Sequence, residues 1–179
     1  MTGCGYNQIQ GLDEEVTAAW SEVENQYQRR YDLIPNLVST VKGYAEHEAE
    51  TFKAVTEARA KVGQTKITPD MLSDAKKFSE YQAAQGALSQ GLGRLMLVAE
   101  RYPDLKANQN FRDLQAQLEG TENRIAVARK RYIESVKLFN KKVRFFPTNL
   151  TAKYILKMET KQNFSVENEA VKQAPKVEF

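Results

Sequence analysis

Apolar residues recur every three or four positions over most of the chain. The first run is Val16, Trp20, Val23, Tyr27, Tyr31, Ile34, Val38, Val41, Ala45, Phe52, Val55 and Val62. That is helical spacing. The phase survives Pro35, a residue that removes one backbone bond and crowds the preceding turn, so the run predicts a single helix kinked there. The helix is expected to begin near Leu12, with Asp13, Glu14 and Glu15 at the positive end of its dipole, and to stop at Gly63. A second helix is announced by Thr68-Pro69-Asp70 and carries Leu72, Phe78, Tyr81, Gln85, Leu88, Leu92, Leu95, Val98 and Ala99 up to Tyr102-Pro103. Gly86, Gly91 and Gly93 lie inside it, where they lower helix propensity and permit close approach of a neighbour. A third starts after Asn108 or Asn110 and runs from Phe111 to Val143, stopping before Pro147. Thr148 or Asn149 can cap a last short helix, Leu150 to Lys157.

These runs predict an all-α fold: an antiparallel up-and-down bundle of three long helices, the first kinked at Pro35, plus a short fourth. The expected organisation is an anchor and tether over residues 1–11, a bundle domain over 12–160 and a flexible polar tail over 161–179. The closing Lys176-Val177-Glu178-Phe179 ends in an aromatic carboxylate of a kind that carboxylate-capturing domains bind, although a plain chain end is the commoner case.

Helix length sets a geometric question. At 1.5 Å per residue the first helix would be about 75 Å long and the second about 48 Å. Either the stretch from Leu12 to Gln28 projects beyond the bundle, or the kink folds it back as a further member. The projecting form leaves Val16, Trp20, Val23 and Tyr27 uncovered, as a stripe for a partner or a second copy of the chain. Arg30, Asp32 and Asn36 around the kink extend this candidate interaction surface. Their bland reading is a set of hydrogen bonds tying the kink to the third helix.

Composition narrows the chemistry. The net charge of the 179 residues is only +3, with 27% charged, which is a mixed surface rather than a nucleic-acid footprint. No nucleic-acid partner is expected. No apolar stretch reaches bilayer length. With one cysteine, Cys4, and one histidine, His47, neither an internal disulfide nor a zinc site can be assembled from them. His47 lies among Glu46, Glu48 and Glu50, an arrangement that reads as a solvated face. A Ser-His pair has little to draw on, and no phosphate-cradling glycine loop occurs. No catalytic residue, cofactor or metal is assigned, and the chain is not expected to be an enzyme.

Two features point to a surface. Thr2-Gly3-Cys4 resembles the end of a bacterial lipobox, in which a small residue precedes a cysteine that is lipidated; the blander reading is a chance cysteine in a frayed terminus. The segment from Arg124 to Lys157 is strongly basic, with Glu134 its only acid. Its basic residues suit anionic lipid or an acidic partner, or are balanced by acids of the first helix. Its aromatic residues Tyr132, Phe139, Phe145 and Phe146 mostly fit the core stripe. The expected topology places much of the segment away from Cys4.

The run Arg29-Arg30-Tyr31-Asp32-Leu33-Ile34-Pro35-Asn36-Leu37-Val38 resembles the LemA family of bacterial proteins. So do Ala99-Glu100-Arg101-Tyr102-Pro103-Asp104-Leu105-Lys106-Ala107-Asn108 and Thr121-Glu122-Asn123-Arg124-Ile125-Ala126. The resemblance covers nearly the whole chain. It implies a helical bundle held at a membrane by its N-terminus, and it brings no enzymatic activity with it. The usual member carries an N-terminal transmembrane helix; here Cys4 suggests a lipid anchor in its stead. The expected role is a membrane-anchored interaction or scaffold protein on the extracytoplasmic face of the bacterial envelope, serving an unidentified envelope protein.

Overall fold

In the computed structural model, which describes residues 5–65 and 68–164, the first helical run is divided. Helix α1 spans Tyr6–Lys42 and α2 spans Ala49–Gln64. The apolar phase crosses the break because both sides cover the same core: Val41, Ala45 in the connection, and Phe52 are all buried. Gly43 and the polar Glu46-His47-Glu48 make the turn, so His47 lies between the helices. Residues expected to form a tether are helical from Tyr6, with Ile9 fully buried.

Thr68 does not cap the next helix. Pro69–Ser73 form a 3₁₀ turn, and the Asp74 side chain accepts from the amides of Lys76 and Lys77 to start α3, Ala75–Ala99. The short α4, Pro103–Ala107, leads to Asn108, whose carbonyl side chain caps α5, Gln109–Arg144, through the Phe111 amide. Thr148–Leu150 form α6, which continues as a π-helical turn, Thr151–Leu156.

Contacts between named residues set the directions. Arg131 of α5 pairs with Glu22 of α1, and Glu122 with Arg30, so α5 runs antiparallel to α1. Phe78 lies beside Trp20 and Tyr81 beside Tyr27, so α3 runs with α1. Gly91 of α3 meets Val55 of α2, and a Cβ there would sit 3.4 Å from its Cγ2 and 3.5 Å from its Cα. This is the close helix approach that the glycine permits. Helix α2 is about 24 Å long beside an α1 of about 55 Å. It covers only the half of the bundle away from Tyr6.

The other half gets its fourth side from the chain after α5. Phe164 packs among Trp20, Phe78 and Tyr132, with ring centroids 6.1, 5.2 and 5.6 Å away. Tyr132 donates to the Gln162 carbonyl, and Asn140 binds both backbone groups of Lys161. Residues 161–164 therefore belong to the bundle, not to a tail. Val16, Trp20, Val23 and Tyr27 are buried, and the stripe neither projects nor needs a fold-back. Two apolar clusters result, one around Trp20 and Phe139 and one around Leu37 and Leu95.

Helix α1 passes through Pro35 without interruption. The carbonyl left without its helical donor is that of Tyr31, four residues back. Arg59 of α2 supplies a replacement: its Nε donates to that oxygen, long at 3.4 Å, while its guanidinium lies over the Tyr31 ring at 3.9 Å. Replacing Arg59 by Met is expected to cost about 1 kcal/mol. In a Pro35→Ala background, where the helical amide returns, that cost should shrink by about half a kcal/mol. Urea unfolding of the four proteins measures the coupling, and full additivity would show that Arg59 does not answer for the proline.

Candidate functional site

Between the two clusters the stripe of α1 carries a charge. Tyr27, Arg30, Ile34, Leu37 and Val41 are the buried positions there, in place of the Tyr31 and Val38 read from the sequence. An arginine cannot neutralise itself when buried, so its charge must be met by partners. Arg30 donates to Ser89 Oγ at 2.7 Å, to Glu122 Oε1 at 3.0 Å, and to the Gln85 side chain at 2.5 Å. The Gln85 carbonyl accepts a longer bond at 3.4 Å, and the Tyr27 ring lies 5.0 Å from the guanidinium carbon. One side chain thus ties α1 to both α3 and α5.

The partners of Arg30 open onto two grooves. Gln85 lines the first, a hollow of about 300 Å³ among Glu24, Tyr27, Tyr31, Val62 and Tyr81. Ser89 and Glu122 line the second, between α3 and α5, with about 540 Å³ over Leu92, Met96 and Leu118. In the first groove burial holds the Glu24 carboxyl above the ordinary carboxylate range, against a smaller opposing effect of the Trp20 indole hydrogen bond. Burial also pushes the hydroxyls of Tyr81 and Tyr132 upward.

The residues expected to form an exposed interaction stripe divide sharply. Val16, Trp20, Val23, Tyr27 and Arg30 are interior and unavailable to a partner or a second copy, because α3, α5 and the returning chain cover them. Asp32 and Asn36 are exposed; Asp32 accepts from Gln28, and Asn36 lines a shallow α1–α5 groove with Asp113 and Gln117. Neither joins the Arg30 group, whose other members come from α3 and α5. Cys4 and the closing Lys176 to Phe179 lie outside the described residues.

A family model described as the LemA family matches residues 19–179. The chain belongs to the LemA family. It is 26% identical over 172 residues to a protein LemA of Metamycoplasma hominis, with 96% of this chain and 70% of that protein covered. It is 27% identical over 163 residues to magnetosome protein MamQ 2 of Paramagnetospirillum magneticum, covering 82% of this chain and 60% of the relative. A MamQ of Magnetospirillum gryphiswaldense is 26% identical with the same coverage. The chain therefore spans about 60% of the length of the magnetosome relatives it matches. None of these names is that of an enzyme.

The Arg30 group predicts an asymmetry. Glu122 is half in water, with its side chain 42% exposed, whereas Arg30 is sealed in. Glu122→Ala strands a buried cation and should cost about 2–4 kcal/mol. Arg30→Met fills the volume and lets Glu122 turn to solvent, so it should cost less; the reverse order in urea unfolding would deny that the buried charge governs this site. Glu24 gives a pH test. Its raised pKa means that the folded chain holds the proton more tightly than the unfolded one, so its contribution to stability is present below the unfolded carboxylate pKa and is lost as pH rises through the folded value. Glu24→Gln should therefore gain stability relative to the wild type as pH climbs from 4 to 7, and a pH-independent difference between the two would refute the assignment.

Proposed function

We propose that this LemA protein is a membrane-anchored helical scaffold on the extracytoplasmic face of the bacterial envelope, held by a lipid on Cys4. The observation that carries the reading is the place of Gly5, the residue directly after Cys4. Gly5 caps the start of α1 in a left-handed conformation (φ 74°), and a Cβ on it would meet Thr148 Cγ2 at 2.3 Å. The chain at Gly5 is thus fixed against the bundle. An acyl group there would hold one defined end of the bundle at the bilayer and direct the grooves beside Arg30 sideways, toward partner proteins. Family membership supports the membrane setting, and none of the related names suggests catalysis.

The test is metabolic labelling of the full-length precursor in its host with a tagged fatty acid, with crosslinking before purification. Label and membrane attachment should be lost on Cys4→Ala, and envelope proteins crosslinked to the wild type should be missing from the variant. A wild type that takes up no label and fractionates with the soluble proteins would overturn the proposal.

A further inference from the structure

The antiparallel course of α5 returns the basic end of the chain to the start of α1. A Cβ on Gly5 would meet Thr148 and lie 3.8 Å from the Lys142 side chain, so the corner after α5 and Gly5 share one end of the bundle. The expected topology places much of the basic segment away from Cys4; its later part lies instead at the end of the bundle that holds Gly5.

The charges of the segment divide accordingly. Its earlier part is answered by neighbours: Arg131 pairs with Glu22 at 2.8 Å, Arg124 reaches Gln26, and Arg129 lies over the Phe164 ring. From Ser135 to Met158 there is no Asp or Glu. Among the described residues Lys141, Lys142, Arg144, Lys153 and Lys157 make no ion pair. Lys141 and Lys153 instead rest on the rings of Phe145 and Tyr154, at 5.3 and 5.4 Å.

The same corner exposes large apolar side chains. Phe146 is 79% exposed, Tyr154 68%, Ile155 66% and Phe145 57%. Phe145 and Phe146 do not follow Tyr132 and Phe139 into the core, because α5 ends at Arg144 and the turn throws them outward. In the turn the Thr148 hydroxyl lies within donating distance of the carbonyls of Lys142 and Phe145, which share its one proton, and the Asn149 amide donates to the Phe145 carbonyl. These bonds fix the backbone of the turn from which Phe145 and Phe146 project.

We infer that this corner is a lipid-docking surface, in which Phe145, Phe146, Tyr154 and Ile155 enter the interfacial layer of an anionic bilayer while the surrounding lysines and Arg144 meet its phosphate headgroups. Aromatic side chains with an apolar body suit the headgroup boundary. Unpaired cations without local acids suit anionic lipid, and the long lysine stems keep their charge at headgroup level. A folded acidic protein would satisfy the cations but gives no reason for rings presented at the end next to Cys4. A single acyl chain binds a membrane only marginally, and this surface supplies the second attachment. The inference rests on the membrane setting proposed above, not on acylation itself, so the two can fail separately.

The experiment uses the full chain carrying Cys4→Ser, which cannot be acylated, sedimented with vesicles of phosphatidylcholine alone or mixed with phosphatidylglycerol. Binding to the anionic vesicles, little binding to phosphatidylcholine, and weakening with added salt are expected. Each of Lys141→Gln and Lys153→Gln should weaken binding about fivefold, the effect of one cation near an anionic surface. Phe146→Ser with Tyr154→Ser should weaken it by at least tenfold. Both sets lie on exposed side chains, and circular dichroism verifies that the variants stay folded. Leu97→Ser, at the far end of α3 and 70% exposed, should leave binding unchanged. Absence of binding to anionic vesicles, equal loss with Leu97→Ser, or self-association of the unlipidated chain through Phe146 on sedimentation would each overturn the inference.

Discussion

Burial of the Arg30 charge is the constraint on which the bundle turns. Apolar contact tolerates substitution as long as volume and pattern are kept, whereas a buried charge must be met by particular partners. Here a guanidinium sits between two apolar clusters and is met by Ser89, Gln85 and Glu122 from two other helices. Sliding α3 or α5 by one turn would strand that charge. The network thus specifies which residues of three helices lie at one level, and the aromatic cluster around Trp20 and the aliphatic one around Leu37 assemble on either side of it.

Fixing α5 against α1 has consequences at a distance. The helices are nearly equal in length, 37 and 36 residues, so the end of α5 arrives beside the start of α1. The short α2 cannot cover that half, and the chain after α6 does so instead, through Phe164, Gln162 and Lys161. Both polarity and covering follow from helix lengths that the sequence encodes. The molecule thereby acquires two unlike ends: one with the connection around His47, the other with Gly5, exposed aromatic rings and unpaired lysines.

Much of this was legible in the sequence. The helical class, the length of α5, its start after one of two asparagines and a close approach at one of three glycines all follow from spacing and residue type. The break between α1 and α2 was hidden because the apolar phase continues across it, Ala45 filling the position that a helix would have filled. The capping role of Asp74 was hidden behind the stronger Thr-Pro-Asp signal just before it. Arg30, expected on an exposed interaction surface, is interior. It holds a stripe position between Tyr27 and Ile34, and that phase was the available signal that it is interior. Phe145 and Phe146 share the composition of core residues; only the end of the helix at Arg144 decides that they face out, and such boundaries are the least readable part of a sequence.

Function in this reading is a matter of orientation: a rigid bundle standing on a bilayer by one end, its grooves facing partners. The most direct measurement is depth in the native, membrane-bound protein, with a nitroxide placed by Tyr154→Cys or Leu97→Cys and its collisions with oxygen and with a water-borne nickel chelate compared. The account predicts that the label at position 154 meets oxygen and is shielded from nickel, while that at 97 shows the opposite. Equal accessibility at the two positions, or the reverse order, would contradict it.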